Sequence, residues 1–198
     1  MNVRRFWILV CTLAVAFAVT ACGSSKHAPS KPGVLSGHEV GNEVNDGSYI
    51  QAGPITYQLE LSRELNPYSI QDAPFVKGLP AGYPPPTANQ LWYGVFLWAK
   101  NQHHTAYRTS DNFEIVDSQG TVYRPIKLNT ELNPWAWTSR LLQKNDTEPA
   151  PDSVQSEDPA QGGLLLFKVD NSVYQNRPLL LYVLNHNGQK LGSIFLDL

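Results

Sequence analysis

An all-β domain, a sandwich or barrel of antiparallel strands, is what this sequence of 198 residues predicts. Three observations point there. Short stretches alternate apolar and polar side chains with a period of two. Aromatic and β-branched residues concentrate in those stretches, and Gly, Pro and Asn-Gly breaks separate them. No segment sustains a helical period, apart from a weak trace over residues 138–143.

The chain opens on a different logic. Arg4 and Arg5 precede an apolar run over residues 6–21, 16 residues long. A membrane-crossing helix needs about 20 residues, whereas a secretory signal needs fewer. The run ends in Val19-Thr20-Ala21-Cys22, which resembles a bacterial lipobox. In that motif the cysteine thiol carries diacylglycerol and becomes the first residue of the mature chain. Residues 1–21 are therefore expected to be a lipoprotein signal peptide and Cys22 a lipidation site. Two acyl chains supply the double signal that stable membrane anchoring requires. Cys11 would be lost with the leader.

Residues 22–53 are rich in Gly, Ser, Pro and Asn and lack apolar periodicity, which predicts a flexible linker reaching about 30 Å. His27 and His38 fall in it as solvated side chains. The folded domain is then expected over residues 54–198. "ITYQLELS" alternates strictly, with Ile55, Tyr57, Leu59 and Leu61 on one face. "LWYGVFLWAKN" is apolar on both faces, as a central strand is when both sides are covered. "DNFEIVD" and "TVYRPIKL" flank Ser118-Gln119-Gly120 as a hairpin, and "GGLLLFKVDN", "PLLLYVLN" and "LGSIFLDL" complete the series. Asn187-Gly188 predicts a type I′ turn between the last two. Two long loops, residues 63–90 and 143–162, interrupt the strands and are functional candidates by length alone.

The strand motifs carry a resemblance. Lys100-Asn101 closing a long hydrophobic strand, the hairpin from Phe113 to Tyr123 and the strand from Gly163 to Val169 resemble the exported bacterial immunoglobulin-like domains of unknown function. The mycobacterial immunoprotective extracellular protein is related to that group. With the lipobox, the chain is similar to uncharacterised lipoproteins of actinobacterial type. The resemblance implies an immunoglobulin-like antiparallel β-sandwich of about seven to eight strands; it implies no catalytic constellation.

Composition narrows the chemistry. Losing Arg4 and Arg5 would leave 13 basic against 17 acidic side chains, a net charge near −4, so nucleic acid is not an expected partner. An acylated Cys22 leaves the exported portion without a thiol, and Met1, the sole methionine of the sequence, would be lost with the leader. Disulfides, thiolate nucleophiles and blue-copper sites need residues that are missing. Neither Gly-x-Ser-x-Gly, Ser-x-x-Lys nor Gly-x-Gly-x-x-Gly occurs. No enzyme activity and no cofactor are expected.

The candidate sites are aromatic, imidazole and acidic. Trp92, Phe96 and Trp98 share one face of the central strand; Tyr93, Val95 and Leu97 share the other. One set fills the core. The second needs a cover, for which Tyr68, Phe75 and Tyr83 of the first long loop are available, or it forms an exposed patch that invites a partner. Trp135 and Trp137 pose the same choice. His103, His104 and His186 are a weak metal alternative, because adjacent histidines on an extended chain point apart. Asp146, Glu148, Asp152, Glu157 and Asp158 lack the spacing of a calcium loop. The function expected is a lipid-anchored binding or interaction module on the extracytoplasmic side of the cell membrane. Its partner would be an envelope protein, a glycan or a small ligand. The alternatives are a ligand- or metal-carrying lipoprotein and an accessory subunit of an envelope enzyme.

Overall fold

The computed structural model describes residues 39–43 and 47–196. The expected signal segment, Cys22, His27 and His38 lie outside them. Twelve strands occur among the described residues: β1 (Glu39–Glu43), β2 (Gly47–Ala52), β3 (Ile55–Leu65), β4 (Gln90–Lys100), β5 (Tyr107–Arg108), β6 (Asn112–Val116), β7 (Val122–Tyr123), β8 (Leu141–Leu142), β9 (Thr147–Glu148), β10 (Gly163–Asp170), β11 (Leu179–Leu184) and β12 (Lys190–Leu196). The predicted all-β class holds. No helix forms over residues 138–143, where β8 pairs with β5 instead. The one α-helix among the described residues, α1 (Val154–Glu157), is a capped turn of four residues. Among the described residues no helix is long and apolar enough to cross a membrane.

One sheet runs β1-β2-β3-β4-β10, with β9 added to the end of β4; the other runs β12-β11-β6-β7. Taking β3, β4, β6, β7, β10, β11 and β12 as strands A, B, C, C′, E, F and G gives A-B-E against G-F-C-C′. That is the immunoglobulin order, with an irregular segment in place of strand D. Every strand pairing is antiparallel.

The expected linker ends earlier than residue 53. β2 pairs with β3 along its length, from Ser48 opposite Leu59 to Ala52 opposite Ile55, and Ile50 is fully buried. Only Ile50 and Ala52 point inward, too short a pattern to stand out in a Gly- and Asn-rich neighbourhood. The last hairpin differs too. Gly188 takes a positive φ of 78°, but Asn187 does not, so the turn is not type I′. The amide of Gly188 donates to Asn185 O and that of Asn185 to Gln189 O, with a bulge in the β11–β12 ladder. This is the three-residue loop, which puts glycine alone in the left-handed region.

Two cores flank the A-B-E sheet. The first lies between the sheets: Tyr57, Tyr93, Leu97 and Phe167 meet Phe113, Ile115, Leu181, Val183 and Ile194. The second lies on the opposite face, where Leu65, Trp92, Phe96, Leu164 and Leu166 are covered by Phe75, Leu128 and Ala136. β4 and β10 serve both, which is why the runs over residues 91–99 and 163–167 within them carry no charged side chain.

β3 changes allegiance midway. Leu59 faces Leu97 but Leu61 faces Phe96, so Glu60 is an extra residue in the ladder. Before this bulge, Ile55, Tyr57 and Leu59 enter the first core; after it, Leu61 and Leu65 join the second. One inserted residue reverses the facing of every residue beyond it.

Candidate functional site

The first long loop is an ordered cover. Asp72 anchors its start: Oδ1 accepts from Arg63 Nη2 at 2.6 Å and Oδ2 from the Asn66 amide at 2.9 Å. The hydrogen bond from Arg63, aided by its charge, holds the Asp72 carboxyl below the usual carboxylate range despite the opposing effect of burial. A 3₁₀ turn over Ala73–Val76 then drops Phe75 onto Phe96 and Trp135, with centroids 5.0 and 5.3 Å away in edge-to-face contacts. Asn133 is fully buried and donates through Nδ2 to Phe75 O at 2.9 Å and Lys77 O at 3.0 Å. It ties the loop to the segment that replaces strand D. That segment runs along the free edge of β10: the Ile126 amide donates to Leu166 O, the Trp137 amide to Leu164 O, and the Leu164 amide to Trp135 O.

Between this cover and the start of β4 lies an open cleft of about 540 Å³, within the size range of ligand sites. Leu65, Leu91 and Trp92 form its floor, Val76 and Leu79 one wall, and Tyr83, Pro85 and Pro86 the other. Tyr83 is held in place. Its ring sits 6.2 Å from Trp92, and the Lys168 ammonium lies 4.7 Å over its centroid while donating to Pro84 O at 3.3 Å. At the rim, Tyr68 is 94% exposed, and nearby Ile70 is 93% exposed. The Tyr68 backbone is nonetheless fixed, because its amide donates to Asn66 Oδ1 at 3.0 Å. Among the described residues Glu64 is the one carboxylate lining the cleft, and no Lys or Arg lines it. Its Oε2 accepts from Tyr174 Oη at 2.5 Å, a hydrogen bond that raises the tyrosine's pKa.

The aromatic residues singled out in the sequence have mixed fates. Trp92 and Phe96 are 4% and 0% exposed, so the first contributes only an edge to the cleft floor and the second belongs to the second core. They do not form an exposed patch, because the first loop covers them. Trp98, beyond the reach of that cover, is half-buried; its enclosed Nε1 finds no hydrogen-bond partner. It lines a separate cleft of about 330 Å³ with Thr56, Gln58 and Lys100. Trp135 and Trp137 are both half-buried, each packed against one of the two cores, and Trp137 also lines a further cleft of about 350 Å³ with Asp111, Lys127 and Ser139. Trp135 Nε1 donates to Asp158 Oδ2 at 3.1 Å and Trp137 Nε1 to Ser110 O at 2.8 Å. Gly163 permits this last placement, since a Cβ there would stand 2.7 Å from the Trp137 ring.

Among the described residues no group of three His, Cys, Asp or Glu side chains converges as a metal site. His103 and His104 are exposed beyond β4, the former edge-on to Tyr107 at 5.8 Å, and His186 is exposed in the β11–β12 turn. Three of the acids of residues 143–162, Asp146, Glu148 and Asp158, have separate local partners. Glu148 is buried with its Oε2 2.5 Å from Arg140 Nε, a close ion pair outside hydrogen-bond alignment. Asp146 accepts from the Gln143 amide, and Asp158 from Ala160 and Trp135.

The cleft brings together residues no local motif had joined. "ELNPY" and "ELNPW" both form turns in which asparagine Oδ1 accepts an amide two residues on, at Asn66 and at Asn133. One turn presents Tyr68 to solvent, while the other inserts Trp135 under the loop. The run Pro84-Pro85-Pro86 was the available signal for a rigid wall.

No family model matches the chain, and no curated protein matches it. Two solved structures are similar in outline. One is the yjhA protein of Bacillus subtilis, at 11% identity and a TM-score of 0.45, covering 77% of this chain and 97% of that one. The other is ycdA of Bacillus subtilis subsp. subtilis strain 168, described only provisionally as a lipoprotein. It has 11% identity and a TM-score of 0.44, covering 76% of this chain and 38% of that one.

Proposed function

We propose that this protein is a lipid-anchored binding module on the extracytoplasmic side of the membrane, acting through the cleft beneath its first long loop and carrying out no chemistry of its own. The observation that carries the reading is the cleft's construction: an apolar floor continuous with a packed core, walls of Tyr83, Pro85 and Pro86, and an exposed aromatic rim at Tyr68. A preformed recess spares a ligand the cost of ordering the site. The lipobox at Cys22 supports the anchor, and the acidic charge argues against nucleic acid as partner.

Two experiments test the reading separately. Labelled palmitate should enter the wild-type chain and not Cys22→Ser; equal labelling of both would remove the anchor. A photo-crosslinking residue at Tyr68 in membranes should give adducts that disappear with Tyr83→Ala, while the same residue at exposed Phe195 should not. Adducts of the same pattern at both positions would remove the cleft as the site.

A further inference from the structure

We propose that the ligand of the cleft is a proline-rich peptide in the polyproline II conformation carrying a basic residue, an inference that rests on the cleft being the binding site. The first ground is the surface offered. Two tyrosines, three prolines and a tryptophan edge form one recess, the kind of aromatic-lined groove into which proline rings dock. A polyproline II helix has three residues per turn and no internal hydrogen bonds, so it arrives already ordered.

The second ground is what the cleft withholds. Several of its polar atoms are engaged within the protein. Asn66 Oδ1 accepts from the Tyr68 amide, Gln90 Oε1 faces Thr87, Gln90 Nε2 donates to Asp170 Oδ1, and Glu64 Oε2 accepts from Tyr174. A ligand dense in hydroxyls, such as a glycan, would leave many of its own groups unmatched there. Proline brings no amide donor at all. The third ground is charge. Among the described residues Glu64 is the one carboxylate lining the cleft. The two nearby cations are committed within the protein, Arg63 to Asp72 at 2.6 Å and Lys168 to Pro84 O and the Tyr83 ring, so a cation on the ligand can pair with Glu64 at the rim. An acyl chain would bring no charge to pair with that carboxylate.

The test uses the full-length chain and a fluorescein-labelled decapeptide of Pro-Pro-Lys repeats, followed by anisotropy. Saturable binding is expected, with loss of about tenfold in affinity for Tyr68→Ala, whose exposed ring the fold does not need. Glu64→Lys should weaken binding about threefold to fivefold at low salt, and that difference should shrink as salt is added. Replacing the peptide's prolines with alanine should abolish binding. No saturable binding, or equal binding by wild type, Tyr68→Ala and Glu64→Lys, overturns the inference. Chitohexaose and myristoyl-phosphatidylcholine vesicles form the comparison arms. Tyr68-dependent binding of either, with none of the peptide, would retain the cleft as the binding site and reject the peptide.

Discussion

Tyr57 shows how much a single polar atom decides in this domain. The side chain is 1% exposed between Phe113 and Trp137, yet its hydroxyl accepts the Ser110 amide at 2.7 Å. Burial pushes its pKa up to about 12. A tyrosine whose folded pKa lies above its unfolded value contributes stability that is full below about pH 10 and is lost as pH climbs toward the folded pKa. Tyr57→Phe should therefore cost about 1–3 kcal/mol at neutral pH, through the amide left unpaired, and should flatten the alkaline fall in stability. Denaturant melts at neutral and alkaline pH check both. Asp117 has the opposite sign. Burial alone would raise its pKa, but hydrogen bonds from Asn176, Thr121 and Gln119 outweigh it and lower the value. Its stabilisation is present above the ordinary carboxylate pKa and disappears as pH falls through the lowered one. Asp117→Ala should lower the melting temperature at pH 7 and reduce its dependence on acid. An unchanged acid profile would count against this role. Neither residue's importance could be read from sequence, because each depends on partners contributed by other elements.

At the scale of elements, β3 and β4 reward and defeat pattern reading in turn. The alternation from Ile55 to Leu59 is legible because one face is buried and the other is not; the uninterrupted run in β4 is legible because both are. The bulge at Glu60 was not legible, since an inserted residue looks like any other polar position until its partner strand is known. Deleting Glu60 should force one half of β3 to present the wrong face. The lost burial of Leu61 and Leu65 would cost about 3–5 kcal/mol. A deletion variant with wild-type melting would show that the ladder absorbs the change by other means. The aromatic face holding Trp92 and Phe96 left two outcomes open in sequence. The choice between a cover and an exposed patch depended on Asn133 and Asp72, which fix the loop from distant positions. A lone buried asparagine has no sequence signature, so the cover could be suspected from Phe75 and Tyr83 but not placed.

At the largest scale, the domain formed by the described residues is three layers rather than the two of a plain sandwich, with the A-B-E sheet in the middle. The outer layer is irregular backbone fastened by side-chain hydrogen bonds, and the cleft is the gap left where it meets the start of β4. The domain's start follows from the same architecture. A chain shortened to begin at residue 54 would lack Ile50 and Ala52, which are 0% and 2% exposed, and would uncover β3. It should melt well below a chain beginning at residue 47; equal melting points would place the boundary where composition alone puts it.

The burial of β4 on both faces and its pairing on both edges also set a timetable for its backbone. Hydrogen-bonded amide protons around Phe96 and Leu97 are shielded by a layer above, a layer below and a neighbour on each side, so they can trade with heavy water only when the entire domain comes apart. The rim around Tyr68, held by a few surface contacts, should trade far sooner. An isotope clock read at these two places would separate the breathing of the recess from the lifetime of the fold.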